Sequence, residues 1–315
     1  MNKKNTNTNI SNLKKGSDSE FFVESLAFGG MGLSKINDKI VFIKNAIPGQ
    51  TVTARITKKR KSYFEARKLN VLNESPDFIN PTCSHFNDCG GCSFQNLIYK
   101  KQLFYKQQQV FDLYNKMGKF VNIKVEPIIE CAEQYHYRNK MEFSFSNKRW
   151  LTIEEIQSGK EVSDKNALGL HVPKMFDKVI NIKNCYLQKD PSNSIRLSIK
   201  QFADLNKLTY FDIKNQRGLL RNLMIRTSSN NDLMVLVQFY ESDMKNINLL
   251  MQHIQTTFTE ITSLLYTINQ KGNNTIYDQE IVCYNGKDYI IEKIDNLIFK
   301  IGAKSFFQTN SDQTS

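Results

Sequence analysis

The sequence predicts an α+β protein in which an N-terminal, OB-like β-barrel precedes a central domain of mixed helices and strands. Residues 21–75 contain several short apolar runs separated by turn residues, a pattern typical of small barrels. Residues 126–187 and 208–240 alternate as strands do, whereas residues 95–118 and 242–258 carry apolar side chains at helical spacing. A chain of 315 residues has room for two or three such domains.

Two glycine-containing stretches predict turns. The segment Phe28–Gly32 superficially resembles a dinucleotide-binding loop, but no helix pattern follows it. The next element, beyond the turn at Asn37 and Asp38, is another strand, so these glycines are expected to serve turn geometry or close backbone approach. Further along, Asn285-Gly286 predicts a β-hairpin.

The charge of the chain favours a polyanionic partner. The net charge is +12 and the pI is about 9.3. Residues 1–75 contain 14 Lys and Arg against six Asp and Glu, so the excess is concentrated in the first quarter. RNA or DNA is a better expectation for such a patch than an anionic membrane. The alternative is a solvated, lysine-rich surface without a partner.

The compartment is predicted to be the cytoplasm. No stretch reaches the roughly 18 apolar residues of a membrane helix, and the polar N-terminus lacks the apolar run of a signal peptide. Residues 1–19 are expected to be a disordered lead. Because cytoplasmic thiols stay reduced, disulfides are a poor explanation for the cysteines.

Three of the six cysteines lie within ten residues, at the spacing C-x5-C-x2-C. The glycines between the last two permit a tight turn and expose N–H groups that stabilise metal-bound sulfur. Four thiolates fit either a [4Fe–4S] cluster or structural zinc. A run of three ligands with a distant fourth favours iron–sulfur, while zinc and no metal remain open. The run is Cys83, Cys89 and Cys92, and the candidates for the fourth ligand are His85, Cys131, Cys185 and Cys283.

A basic run inside the predicted barrel is a candidate RNA surface. Cations neutralise phosphates, and neighbouring aromatic side chains stack on bases. The alternative is a charged hairpin tip with a core aromatic. The run is Lys58, Lys59, Arg60 and Lys61, followed by Tyr63 and Phe64.

Five segments, in order, resemble the cluster-containing RNA (uracil-5-)-methyltransferases that act on 23S ribosomal RNA. They are "VESLAFGGMGLSKINDKIVFIKNAIPGQTVTARI", "PTCSHFNDCGGCSFQNLIYKKQL", "YHYRNKMEFSF", "LGLHVPKMFDKVINIKNCYL" and "FFQTN". The first resembles a TRAM domain, an RNA-binding barrel. The resemblance spans about residues 20–315.

This resemblance implies roles for individual residues. Cys185 would be the fourth ligand of a [4Fe–4S] cluster. In "FFQTN", Gln308 would bind the uracil edge and lie by the cofactor S-adenosylmethionine, and Phe306 would stack near a flipped base; the alternative is a strand end that packs on the core. In "YRNK", Arg138 could hold a phosphate or an internal carboxylate, and a structural role for it and Asn139 is at least as plausible. The implied partner is RNA, with ribosomal RNA favoured.

The chemistry of that family needs a cysteine nucleophile, a basic carboxylate and a glycine-rich turn in a doubly wound α/β domain. The sequence shows none of these, and Cys131 and Cys283 lie in the wrong segments for the nucleophile. The nucleophilic cysteine and the base are therefore expected beyond Ser315, and the chain is expected to hold no catalytic residue of its own.

The expected protein is thus an N-terminal portion of such an enzyme, inactive alone, without the C-terminal doubly wound domain. The alternative is a stand-alone RNA-binding iron–sulfur or zinc protein. The expected divisions are 1–19 (disordered lead), 20–75 (TRAM-like barrel), 76–305 (iron–sulfur-bearing central domain) and 306–315 (start of a methyltransferase domain).

Overall fold

The computed structural model describes residues 13–120 and 123–314, and the chain divides into two compact units. Residues 1–12 of the predicted lead lie outside the described residues, as does Ser315. The remainder of that lead is ordered, because Leu13 is buried in an apolar core and the first strand begins at Asp18. The first unit comprises residues 1–87 and 92–130, and the second comprises residues 88–91 and 131–315.

The first unit contains a six-stranded sheet with an apolar core, and a second, smaller apolar cluster that includes Leu26, Ile47 and Leu97. Its strand order is β1-β5-β6-β4-β3-β2, and the described pairs are antiparallel except for β4 with β6. The strands are β1 (Asp18–Phe22), β2 (Ser25–Leu26), β3 (Gly32–Ile36), β4 (Lys39–Lys44), β5 (Thr51–Lys59) and β6 (Tyr63–Asn73).

The sequence pattern explains this sheet. Along β5, the side chains of Val52, Ala54 and Ile56 alternate into the core while the residues between them face outward. The predicted turn between β3 and β4 is confirmed: Asn37 and Asp38 have φ values of 41° and 66°, as a tight hairpin of this twist requires. A strand, not a helix, follows the glycine-rich stretch, which excludes a dinucleotide loop there.

The predicted helix between residues 95 and 118 is confirmed, with a later start. Helix α1 spans Tyr99–Asp112 and continues as a π-helical turn, Leu113–Met117. Its residue Gln109 donates a side-chain hydrogen bond of 3.1 Å to the carbonyl of Leu26 in β2. This contact places α1 in the same unit as the six-stranded sheet.

The second unit is built on a seven-stranded sheet of order β13-β12-β11-β10-β7-β8-β9, with β11 and β12 as its one parallel pair among the described strands. Its strands are β7 (Lys140–Ser146), β8 (Ala167–His171), β9 (Val179–Asn181), β10 (Leu220–Thr227), β11 (Leu233–Phe239), β12 (Ser263–Ile268) and β13 (Val282–Gly286). Its helices are α2 (Ile153–Gln157), α3 (Ser192–Leu205) and α4 (Met244–Thr257).

Both faces of this sheet carry buried apolar side chains, and polar side chains of strand β7 share one of them. In β7, Met141 and Phe143 are buried, and the guanidinium of Arg196 in α3 lies over the Phe143 ring at 5.4 Å. Lys140 and Glu142 therefore point to the opposite face, because side chains alternate along a strand. Helix α4 confirms the helix predicted at residues 242–258. None of the helices in the described ranges is long and apolar enough to cross a membrane.

The prediction of a hairpin at Asn285-Gly286 is wrong. Strand β13, which contains both residues, pairs with β12, while β14 (Tyr289–Ile294) pairs with β15 (Leu297–Gly302) in a separate two-stranded sheet. Gly286 has a φ of +78°, and a Cβ there would lie 2.2 Å from the carbonyl oxygen of Thr262. The glycine is needed for this close approach rather than for a hairpin turn.

Replacing Phe64 with alanine is expected to destabilise the first unit by about 3–5 kcal/mol, because its side chain is fully buried in the core and its removal leaves a cavity. The matched control is Phe22→Ala in β1, whose side chain is 51% exposed and should cost far less. Urea unfolding followed by circular dichroism would measure both. Equal losses of stability in the two variants would contradict the assignment of Phe64 to the core.

Candidate functional site

The segment "FFQTN" is held in the second unit by Asn139 of the "YRNK" stretch. The backbone N–H of Asn139 donates to the carbonyl of Thr309 at 2.8 Å. Its side-chain amide donates to the carbonyl of Gln308 at 2.8 Å and to the hydroxyl of Ser311 at 2.9 Å. Ser311 in turn donates to Glu292 at 2.9 Å. Asn139 thus has the structural role that the sequence left open.

Beside this segment lies a cavity of about 420 Å³, on the face of the sheet that carries Glu142 and Met224. Its walls are strands β7, β10 and β11, the loop after β12, and the segment that follows β15. The lining residues are Lys140, Glu142, Asn222, Leu223, Met224, Arg226, Leu236, Gln238, Asn274, Thr275, Ile276, Tyr277, Ala303, Lys304, Ser305, Phe306, Phe307 and Thr309.

The two residues predicted to approach the target base are placed differently. Phe306 lines the cavity with its ring 82% exposed, whereas Phe307 packs against a buried apolar cluster. Gln308 is exposed and does not line the cavity; its carbonyl is occupied by Asn139. The alternative that Phe306 is a core residue is therefore excluded, and the contact of Gln308 with a base remains a prediction.

Arg226, on β10, fixes the start of the same segment. One terminal nitrogen of its guanidinium donates to the carbonyl of Ser305 at 2.6 Å. Its Nε is buried and has no hydrogen-bond partner among the described residues. Burial lowers the pKa of Arg226, although the nearby Glu142 carboxylate opposes this shift. Sequence reasoning missed this residue, because a charged side chain within an apolar strand gave no motif.

A second buried arginine, Arg221, fixes the loop that forms another wall of the cavity. Its guanidinium donates to three main-chain carbonyls and to one side-chain amide, and the residue is 1% exposed. Four hydrogen bonds from one planar group leave that loop little freedom. The acceptors are the carbonyls of Asn269 (2.6 Å), Lys271 (2.7 Å) and Asn273 (2.9 Å) and the Oδ1 of Asn274 (3.1 Å).

A smaller pocket of about 260 Å³ adjoins the cavity and shares Lys140, Glu142 and Thr309 with it. Arg138 lines this pocket and forms no ion pair with any described residue, and its Nε is buried without a partner. An internal carboxylate is therefore not the partner of Arg138 in the described part of the chain. A guanidinium without an ion pair can bind an anion such as a phosphate.

The predicted basic run lies at the β5–β6 hairpin of the first unit, and its four members differ. Lys58 pairs with Glu65 at 3.0 Å, and the Nζ of Lys59 donates to the carbonyl of Leu13 at 2.9 Å. Arg60 and Lys61 are exposed and form no ion pair with any described residue. These two are the cations that remain free to meet phosphates.

The aromatic residues beside that run are not both available to bases. Phe64 is fully buried, so its predicted stacking on RNA is wrong, and Lys59 and Lys39 lie 5.8 Å from its ring centroid. Tyr63 is half-buried and contacts Phe42 edge-to-face, with ring centroids 5.6 Å apart. The alternative prediction was a charged hairpin tip with a core aromatic, and Phe64 is that core aromatic.

The prediction of a metal centre has no support among the described residues. Cys83 and Cys92 belong to the first unit, and Cys89 and Cys185 belong to the second. The N–H of Gly91 donates to the sulfur of Cys89 at 3.4 Å, as the glycine spacing suggested. However, no group of three or more His, Cys, Asp or Glu side chains suited to hold a metal ion occurs within residues 13–120 and 123–314. The [4Fe–4S] cluster and the zinc alternative are therefore not supported, and the four ligand assignments remain predictions.

Comparison with known proteins identifies a TRAM domain and relatives named for RNA methylation. Residues 14–69 match the family model of the TRAM domain. The chain is 43% identical to an "Uncharacterized RNA methyltransferase" of Porphyromonas gingivalis, over 92% of this chain and 64% of that protein. It is 42% identical to a protein of the same name in Bacteroides thetaiotaomicron, over 91% and 64%. The chain thus spans slightly less than two thirds of the length of these relatives.

A solved structure shares the fold. The crystal structure of the Pyrococcus abyssi tRNA (uracil-54, C5)-methyltransferase, in complex with S-adenosyl-L-homocysteine, matches with a TM-score of 0.65 and 21% identity. The match covers 93% of this chain and 62% of that one. At this identity the likeness shows the fold alone.

This match corrects the predicted fold class. The prediction described a barrel and an iron–sulfur-bearing central domain that stand in front of an absent methyltransferase domain. Instead, 93% of the chain follows the fold of a methyltransferase chain, so the two units are themselves parts of that fold. The iron–sulfur component has no support among the described residues, and the statements that the chain is truncated and inactive alone are also without support.

The expected position of the catalytic groups stays a prediction. The sequence predicts the nucleophilic cysteine and the base beyond Ser315, and the match covers 62% of the neighbour's chain. Ser315 itself lies outside the described residues. The position of both catalytic groups is therefore open.

Asn139→Asp is expected to loosen residues 305–311 by about 1–3 kcal/mol, because the carboxylate cannot donate to Gln308 or Ser311. The matched control is Asn248→Asp on the exposed face of α4. Amide hydrogen exchange, read by mass spectrometry, should become faster in peptides from that segment in the first variant only. Unchanged exchange would show that Asn139 does not hold the segment.

Proposed function

We propose that this chain acts in the S-adenosylmethionine-dependent methylation of uridine at C5 in RNA. One observation carries the proposal: Asn139 fixes the "FFQTN" segment so that Phe306 projects, exposed, at the rim of the cavity. An exposed ring beside amides and cations suits an unstacked base. The relatives named RNA methyltransferase support the same activity. Because the chain spans only part of their length, the activity of the whole protein is part of the proposal.

The cofactor would supply an electrophilic methyl group. Gln308, exposed directly after Phe307, is the residue of this chain proposed to contact the uracil edge or the cofactor. This proposal draws on the sequence resemblance, and the neighbour of shared fold was solved with S-adenosyl-L-homocysteine.

We assign neither nucleophile nor general base to a residue of this chain. Burial raises the pKa of the Cys283 thiol, with Asp288 adding to the shift, and this disfavours the reactive thiolate. The Cys131 thiol donates a hydrogen bond of 2.9 Å to the carbonyl of Glu133. Neither cysteine lines the cavity.

RNA binding by the first unit is proposed to use the exposed end of the β5–β6 hairpin. Arg60 and Lys61 would neutralise phosphates there, while Lys58 and Lys59 are already engaged within the unit. The TRAM match over residues 14–69 supports this assignment. Ribosomal RNA is the proposed substrate, and a cytoplasmic location follows from it.

Deleting the coding sequence in the source organism is expected to abolish one 5-methyluridine. Nucleosides from separately purified 23S ribosomal RNA and transfer RNA, analysed by mass spectrometry, would show which RNA loses it. Re-expression of the intact gene should restore the modification. Loss from transfer RNA would replace the ribosomal substrate with the kind named for the Pyrococcus neighbour. No loss from either RNA would refute the activity and leave a non-catalytic RNA-binding protein.

The double variant Arg60→Gln/Lys61→Gln is expected to bind single-stranded RNA more weakly and with less salt dependence. Each lost phosphate contact lowers the slope of log K against log salt by about 0.7, so the pair should lower it by about 1.4. The matched control, Lys100→Gln/Lys106→Gln on the exposed side of α1, removes the same charge. Fluorescence anisotropy at several salt concentrations would measure both slopes. Equal slopes in the two double variants would contradict a local contact at the hairpin.

A further inference from the structure

The three central strands of the first unit, β4, β5 and β6, carry a strong excess of positive charge. They contain seven Lys and Arg residues and one carboxylate, that of Glu65. Glu65 is paired with Lys58 at 3.0 Å, so these strands offer no free carboxylate to balance the other cations. The cations are Lys39, Lys44, Arg55, Lys58, Lys59, Arg67 and Lys68.

The outer face of these strands, which points away from the apolar core, brings three of the cations side by side. Arg67 lies on β6, the middle strand of the three, and its Cα partners are Arg55 on β5 and Lys44 on β4. The residue that precedes each of them is buried in the core, so all three side chains face outward. Since neighbouring strands are about 4.8 Å apart, the three form a row about 10 Å wide.

The like charges in this row are only partly compensated. Arg55 forms a bidentate pair with Asp18 of β1, at 2.6 and 2.8 Å, and the other carboxylate of β1, Glu20, lies two strands away from Arg67. Arg67 and Lys44 form no ion pair with any described residue. Like charges directly opposite each other destabilise a sheet. An anion between them would remove the repulsion, and a phosphate has acceptor oxygens for both.

An aromatic pair lies beside the row on the same face. Phe42 and Tyr63 are half-buried and meet edge-to-face, with ring centroids 5.6 Å apart. Phe42 precedes Lys44 by two residues, and Tyr63 precedes Arg67 by four, so each pair of side chains leaves the same face of its strand. The exposed end of the β5–β6 hairpin lies just before Tyr63. Cations without an ion pair are therefore present on both sides of the aromatic pair along β6.

This combination favours single-stranded RNA over a duplex. The bases of a single strand are unstacked, so they can contact aromatic rings while the phosphates contact cations. A duplex presents its phosphates but keeps its bases stacked inside, so it would use the cations and leave the rings unused. Aromatic rings and unpaired cations on one face of a barrel are the two components of single-strand binding.

We infer that the outer face of β4, β5 and β6 binds single-stranded RNA, with one phosphate between Lys44 and Arg67 and a base against the rings of Phe42 and Tyr63. The inference rests on the proposed function, because it takes the partner to be RNA. It extends the RNA contact from the hairpin end across the sheet. Barrels of this kind cover about 4–16 nucleotides, so one strand of RNA can contact both places.

The double variant Lys44→Gln/Arg67→Gln of the full chain tests the phosphate contact. It should bind a labelled oligouridylate of about eight nucleotides more weakly, and the slope of log K against log salt should fall by about 0.7, because one phosphate contact is lost. Its thermal unfolding midpoint should not fall, because the change removes a repulsion. Fluorescence anisotropy at several salt concentrations would measure the slope.

The matched control for this variant is Lys100→Gln/Lys106→Gln, which removes the same charge from the exposed side of α1. It should keep the slope of the unaltered chain. The same slope and affinity in both double variants would overturn the inference, because the cations of the row would then contribute no more than any exposed pair.

Two variants at Tyr63 test the base contact. Tyr63→Phe keeps the ring, and the lost hydroxyl forms no hydrogen bond with a described residue, so this variant should bind as the unaltered chain does. Tyr63→Leu should weaken single-strand binding by about fivefold or more, because stacking is lost. Both variants should bind duplex RNA equally, which also shows that the leucine variant is folded. Equal single-strand affinity of the two would overturn the inference and leave a general polyanion surface.

The outcome is separable from that of the proposed function. If 5-methyluridine disappears on gene deletion but Lys44→Gln/Arg67→Gln binds single strands with an unchanged slope, the surface fails and the methylation stands. If that variant and Tyr63→Leu both lose affinity but 5-methyluridine persists in the deletion strain, the methylation fails and the surface remains an RNA-binding site.

Discussion

Three buried arginines, two on strand β10 and one on helix α3, hold loops of the second unit, and the geometry of the candidate site depends on the two on β10. Burying a guanidinium is costly unless its donors are satisfied. Here main-chain carbonyls accept from terminal nitrogens of all three, whereas the Nε of Arg196 and of Arg226 has no partner among the described residues. None of the three forms an ion pair with a described residue. Arg196 donates to the carbonyls of Ile182 and Lys183, Arg221 to those of Asn269, Lys271 and Asn273, and Arg226 to that of Ser305.

This arrangement explains why a site composed largely of loop residues can be well formed. Arg221 fixes one wall of the cavity, and Arg226 together with Asn139 fixes another. Residues held by several hydrogen bonds lose little further freedom when a ligand binds, so less binding free energy is spent on ordering them. The strands beneath, β10 and β11, are almost entirely buried and supply a rigid floor.

The basic hairpin of the first unit shows how structure divides residues of one type into different roles. Lys58 and Lys59 are engaged by Glu65 and by the Leu13 carbonyl, whereas Arg60 and Lys61 at the tip remain exposed. A run of four cations therefore does not supply four equal phosphate contacts. Exposed cations beyond the end of the strands are the ones that determine salt dependence.

By itself, the sequence determined the elements whose periodicity is strong: the short strands of the first unit, helices α1 and α4, and the turn at Asn37 and Asp38. It also identified "YRNK" and "FFQTN" as separate segments of interest. Only the tertiary structure showed that Asn139 joins them, because hydrogen bonds between residues 169 positions apart leave no local pattern. The same holds for Phe64, whose burial depends on which face of β6 meets the core, and for Gly286, which is required by the nearby Thr262 carbonyl rather than by a turn. The expected metal centre remains a prediction, since cysteine spacing gives ligand types and not their positions in space.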